Sequence, residues 1–287
     1  MIDRIPVMRL VLSCVCVAPL LSGCGTEVPI AAEPAKPQAE SSTFDPANCG
    51  TLAGRVLWSG EIPRTAPFIY GVPLTDGNFD IRTIPNPNQP GVNAKTQALA
   101  GAVVFLRSIN PARARPWDLP PVRVEMMDRD IRIVQGEAVR RIGFVRLGET
   151  VSMATVEPVF HVIRGRGAAF FSLAFPEPNQ PSTRTLDTPG LVELTSGAGY
   201  YWANAHLFVA EHPYFAVTDS DGRFSFAQVP AGDVELVVWH PGWTVVKQER
   251  DPESGLITRL TYGPPLEVKH PFTVSPGKSL TVSIAVP

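Results

Sequence analysis

The sequence predicts an all-β sandwich fold, and three observations predict it. Short apolar stretches alternate with polar residues at the period of a strand. Thirty prolines and 23 glycines in 287 residues cut the chain into pieces suited to sandwiches and not to bundles. No amphipathic pattern sustains a helix for more than two turns.

The elements follow in order. Residues 1–23 carry arginines at 4 and 9 and an apolar run from Leu10 to Leu21, ending in Leu21-Ser-Gly-Cys24. A charged start, an apolar middle and small residues before the cut define a secretory signal. The run is about a dozen residues, too short to cross a ~30 Å hydrocarbon core. Residues 24–48 are rich in Pro, Ala, Glu and Ser and lack apolar periodicity, which predicts a flexible tether. Strands are then expected at 51–58, 101–107, 132–134, 143–147, 151–155 and 168–173. Four more are expected at 203–210, 223–226, 234–239 and 280–286. Asp219-Ser-Asp-Gly222 is expected to close a tight hairpin between 215–218 and 223–226, because Asp-Gly accepts the positive φ angles of such a turn. A calcium loop at Asp219 and Asp221 is the alternative, but the remaining ligands of a twelve-residue loop are missing.

Charge narrows the partners. Lys and Arg number 25 against 27 Asp and Glu, for a net charge of −2, so no nucleic acid is expected. The arginines between 113 and 146 mostly alternate with apolar residues and predict solvated strand faces. Of four cysteines, Cys14 and Cys16 would leave with the signal. No nucleophile elbow, His-Glu-x-x-His helix, phosphate loop or Cys-x-x-Cys pair follows residue 24, so no enzyme is expected. The five histidines, at 161, 206, 212, 240 and 270, lack metal-ligand spacing. Trp58, Trp117, Trp239 and Trp243 are the aromatic faces on which a sugar ring would stack.

Three resemblances add to this reading. Leu-Ser-Gly-Cys24 resembles the lipobox of bacterial lipoproteins, which implies a lipid on Cys24, a membrane partner and a place in the cell envelope facing the periplasm or the exterior. Cys49 would then be the one remaining thiol, and the mature chain could form no internal disulfide. Gly50-Thr-Leu-Ala-Gly-Arg-Val, Gly101-Ala-Val-Val-Phe-Leu, Thr218-Asp-Ser-Asp-Gly-Arg-Phe-Ser-Phe-Ala-Gln-Val-Pro-Ala-Gly and Val234-Glu-Leu-Val-Val-Trp-His-Pro-Gly242 resemble successive strands of the carboxypeptidase regulatory-like domain. That family is a transthyretin-like sandwich among the carbohydrate-binding-like folds. It would occupy 49–119 plus 213–287.

The intervening 120–212 resembles a cupredoxin, so the two resemblances together imply two Greek-key β-sandwich units, with the cupredoxin inserted in or packed against the regulatory-like sandwich. Gly143-Phe-Val-Arg-Leu-Gly148-Glu-Thr-Val-Ser-Met is similar to the strand and turn before the family's first copper histidine. Glu157-Pro-Val-Phe-His161 resembles the step that supplies it. The string from Gly197 through Tyr200, Trp202 and Ala203 to His212-Pro-Tyr-Phe-Ala-Val-Thr-Asp219 is similar to the ligand loop and following strand of exported cupredoxin-like proteins. A blue-copper site needs two imidazoles and a thiolate with a weak axial Met. Laid onto this chain, the first histidine falls on His161. The cysteine falls on Gly197, the second histidine on Tyr200 and the methionine on Ala203. The resemblance therefore implies a cupredoxin whose copper site is lost, with no cofactor.

Three functions follow as expectations. The first is a non-catalytic lipoprotein that binds or scaffolds a glycan or another envelope protein. The second is an electron carrier with an atypical copper site drawn from His161, His206 or Met153. The third is a carbohydrate-binding accessory module using Trp117, Trp239 or Trp243.

Overall fold

The computed structural model describes residues 43–73, 76–253 and 255–287. The expected signal peptide, Cys24 and most of the expected tether lie outside the described residues. The described body is all-β, with two 3-10 turns, and no helix in it is long and apolar enough to cross a membrane.

The chain opens with β1 (Cys49–Trp58), the hairpin of β2 (Phe68–Pro73) and β3 (Phe79–Ile84), the short pair β4 (Gly91–Val92) and β5 (Leu99–Ala100), and β6 (Val103–Arg107). Next come β7 (Val122–Met127), β8 (Asp130–Gln135), β9 (Ala138–Arg140), β10 (Ile142–Arg146) and β11 (Thr150–Thr155). They are followed by β12 (His161–Gly167), β13 (Phe171–Phe175), β14 (Ser182–Thr185), β15 (Gly190–Ser196) and β16 (Asn204–Ala210). The last group is β17 (Phe215–Val217), β18 (Arg223–Pro230), β19 (Gly232–His240), β20 (Val245–Arg250), β21 (Ile257–Tyr262), β22 (Leu266–Val274) and β23 (Ser279–Val286).

Strands β7 to β16 form a central sandwich of two five-stranded sheets, β10-β16-β15-β12-β13 and β14-β11-β7-β8-β9. Val124, Ile133, Val151, Met153, Ile163, Leu194 and Leu207 fill the space between them. Alternation along β8 and β15 puts one face in this core and one outside, as the period of a strand requires. Gly165 sits under the Phe171 ring, whose atoms lie 2.4 to 2.8 Å from where a Cβ would stand. Any side chain there would evict the ring.

The flanking sandwich pairs β18-β1-β23 with β17-β6-β19-β22. Its core includes Leu52, Val56, Leu106, Tyr214, Phe226, Leu236 and Ile284. Strand β1 runs parallel to β23 and antiparallel to β18.

The two sandwiches share a second apolar layer. On β6 and β19, Val104, Leu106, Leu236 and Val238 face the flanking core, while Val103, Phe105, Val237 and Trp239 face outward. There they meet Ile142, Phe144 and Phe208 from the central sandwich. Phe208 lies 5.8 Å from Phe105 and 5.1 Å from Trp239, ring centre to ring centre. This explains why β6, β16 and β19 read as nearly unbroken apolar runs: they are buried on both faces, as strands in parallel sheets often are.

Three expectations change. The Asp219–Gly222 turn closes no hairpin, because β17 pairs with β6 and β18 pairs with β1 in the opposite sheet. Alternation shows that a face is apolar and not which layer it enters: Phe224 and Phe226 enter the flanking core, whereas Phe215 and Val217 pack at the interface. Calcium is also unsupported there. Asp219 Oδ1 is engaged, accepting from the backbone N–H of Asp221 at 2.9 Å and of Arg223 at 2.8 Å.

The strand expected at 168–173 begins at Phe171, because Gly167, at φ +102°, turns the chain first. Finally, the expected tether reached residue 48, yet the chain is fastened to the body from Thr43. The Thr43 N–H donates to Ala112 O at 2.8 Å, Asp45 caps a 3-10 turn at Pro46–Asn48, and Asn48 O accepts from Ala231.

Candidate functional site

The candidate site lies where β12 starts. His161 opens that strand, opposite Phe175 of β13, and is fully buried. Thr155, at the end of β11, closes a tight turn with Glu157 through its hydroxyl, which donates to Glu157 O at 3.1 Å. The turn aims the Glu157 carboxylate at the imidazole: His161 Nε2 lies 2.8 Å from Glu157 Oε1. The same oxygen accepts the Arg129 N–H at 2.9 Å.

Burial holds the His161 pKa below the ordinary imidazole range, and the Glu157 contact opposes that only in part. The ring is therefore neutral at pH 7, with its proton on Nε2 and donated to Glu157. Its Nδ1 is buried without a hydrogen-bond partner.

The ring is packed against an aromatic wall. The Tyr200 ring centre is 5.3 Å from His161, and Tyr200 packs on Trp202 at 5.7 Å. Burial raises the Tyr200 pKa, so the phenol keeps its proton. The β2–β3 hairpin then covers the wall from outside. Tyr70 meets Trp202 edge-on at 4.6 Å, Phe68 meets Tyr201 at 5.7 Å, and the Tyr201 hydroxyl donates to Ile69 O at 2.9 Å.

The other positions implied for copper supply no donor. Ala203 is buried with a methyl side chain. At Gly197, whose N–H donates to Val162 O, a Cβ would stand 2.7 Å from Arg164 Nε and 2.8 Å from Val162 Cγ1. A thiol there has no room unless both side chains shift. Met153 belongs to the central core. Cys49 is in β1 of the flanking sandwich, its Sγ donating to Asp45 O at 3.2 Å. Among the described residues, no three His, Cys, Asp or Glu side chains come together as a metal site. A blue-copper centre requires the soft thiolate that this cluster lacks, so the residues do not fit the metal.

The remaining candidates scatter. His206 lies in the seam between the sandwiches, 5.1 Å from Trp239 ring to ring, and burial pushes its pKa down to about 4. His212 packs on Phe215 and is also pushed to about 4 by burial. Trp239 is 4 % exposed, its ring spent on the interface and not presented for stacking. Trp243 packs against Trp58, 5.7 Å away. Trp117 is half-buried against the interface layer with its Nε1 enclosed.

Sequence reasoning found His161 and missed the cover. Glu157 stood inside the quoted motif as a neighbour and not as the imidazole's partner. Tyr70 had no local signal at all, because its partner Trp202 is far away in the sequence.

No protein-family model matches the chain, and no curated protein matches it. Among solved structures, it is similar to a reduced mutant of amicyanin, at 15 % identity over 37 % of this chain and 98 % of that one, with a TM-score of 0.25. A plastocyanin from Dryopteris crassirhizoma in its oxidized form is 20 % identical over 31 % of this chain and 99 % of that one, with a TM-score of 0.23. At such identities and TM-scores no function transfers.

Proposed function

We propose that the chain is a non-catalytic lipoprotein, anchored through Cys24, whose body binds or scaffolds another envelope component outside the cytoplasm. Its central sandwich is a cupredoxin-like unit that no longer takes copper. One observation carries this reading: the only imidazole at the implied copper position is bound to Glu157 and walled in by Tyr200, Trp202 and Tyr70. Aromatic area fills the space that a metal would otherwise organise. Protein incubated with copper and then desalted should give no redox couple on an electrode, and a reversible one-electron wave from each chain would refute the proposal.

The unpartnered Nδ1 of His161 favours a second reading, an atypical copper site at this imidazole. It predicts copper uptake that disappears in His161→Ala. The first reading predicts no uptake in either protein.

A further inference from the structure

The seam between the two sandwiches holds a pocket of about 300 Å³ that the His161 site does not use. The end of β9 brings Arg140 to its wall, and the turn that follows brings Arg141. Asn204 and His206 come from the start of β16, His240 from the end of β19, and Asn88 from the long excursion after β3. Asn88, Asn204, His206 and His240 are each more than nine-tenths buried, so the wall is built and not a surface dimple.

Its charge is unbalanced. No carboxylate lines the pocket. Arg141 is neutralised by its ion pair with Asp130 and donates to Asn204 O at 2.9 Å. Arg140 meets no carboxylate among the described residues. Its Nε donates to Ile142 O at 3.1 Å, and its guanidinium lies over the Phe144 ring, 5.4 Å from the centre. That geometry fixes the planar fork by one edge and leaves its terminal nitrogens for a ligand. A half-desolvated guanidinium is the side chain best suited to a planar or tetrahedral oxyanion.

The geometry points to a binding site for a small oxyanion-bearing molecule, a carboxylate, phosphate or sulfate, seated on Arg140 between the sandwiches. This deepens the binding reading above and rests on it only in that the body has a ligand.

The test is NMR titration of the folded chain with sodium phosphate, sodium sulfate, galacturonate and, as the neutral control, galactose. The site predicts saturable shifts at Arg140, Asn204 and His206 with at least one anion and none with galactose. Arg140→Gln should weaken binding about tenfold or more, as loss of a charge-assisted contact does. Gln89→Glu is the second variant, placing a negative charge at the exposed rim without disturbing the core, and it should weaken binding as well. Tighter binding of galacturonate than of phosphate or sulfate assigns a carboxylate carried on a sugar; the reverse order assigns a tetrahedral anion. No saturable shift with any anion, or binding unchanged by both variants, overturns the site. A blue copper spectrum with anion binding intact would remove only the redox-silent reading. Silence in both assays would remove only the pocket.

Discussion

Tyr70 of the β2–β3 hairpin packs edge-on against Trp202 of the central sandwich, with ring centres 4.6 Å apart. A segment that leaves the flanking sandwich thus seals the end of its neighbour beside His161. Edge-to-face aromatic pairs add to the area they bury. Tyr70→Ala should destabilise the protein by about 2 kcal/mol, less than a fully buried aromatic because Tyr70 is only partly enclosed. Urea denaturation measures that loss. Hydrogen exchange should quicken at residues 198–203 and stay unchanged in β6 and β19. An unchanged midpoint would show that the hairpin does not seal the site.

The buried histidines set an acid limit. His206 has a folded pKa near 4, held there first by burial and then by the charges of His240 and Arg141. The unfolded value is about 6.5. Between those values the unfolded chain takes a proton that the folded chain refuses, so stability is full above pH 6.5 and falls as pH drops toward 4. For His206 alone the loss is on the order of 3 kcal/mol. His161, His212 and His240 shift in the same direction through burial. Urea midpoints should hold from pH 7.5 to about 6.5 and then fall toward pH 4.5, with a shallower fall in His206→Gln. A flat profile would contradict the burial.

Phe208 tests whether the two sandwiches fold as one. It is 7 % exposed and touches Phe105, Phe144, Phe215 and Trp239. Phe208→Ala should cost about 3–5 kcal/mol through the cavity it leaves. Calorimetry should show one transition in the native protein and two in the variant, as the shared layer loosens. A single sharp transition in both would place the coupling elsewhere.

Cys49 should react slowly. Its thiol is buried and donates to Asp45 O, and its pKa is raised by that burial and then by Asp45. Thiolate is the reactive form. Iodoacetamide at pH 8 should label the folded protein at least about a hundredfold more slowly than the urea-unfolded protein. Equal rates would mean that the Thr43–Asn48 segment does not cover the thiol.

How much of this could be read beforehand depends on where each signal lies. β1, β6, β16, β19 and β23 were legible because burial on one or both faces writes an apolar pattern that needs no partner to be seen. β2, β3, β20 and β21 were not. They are hairpins whose exposed Ile69, Ile81 and Val246 break the alternation expected of a half-buried strand. Asp219-Ser-Asp-Gly222 announced a turn, and the turn is there; which sheets it joins depends on layers that no local window contains. At the site, His161, Gly197 and Ala203 were singled out through the cupredoxin resemblance. Both the Glu157 carboxylate that claims the imidazole and the hairpin that covers it follow from tertiary contact.

The proposal turns on His161, hydrogen-bonded to Glu157 and packed against Tyr200. The most direct measurement is copper titration of the purified chain, followed by elemental analysis after desalting and a visible spectrum. The account predicts far less than one copper per chain and no intense absorption from thiolate-to-copper charge transfer. One tightly held copper per chain with such a band would contradict it.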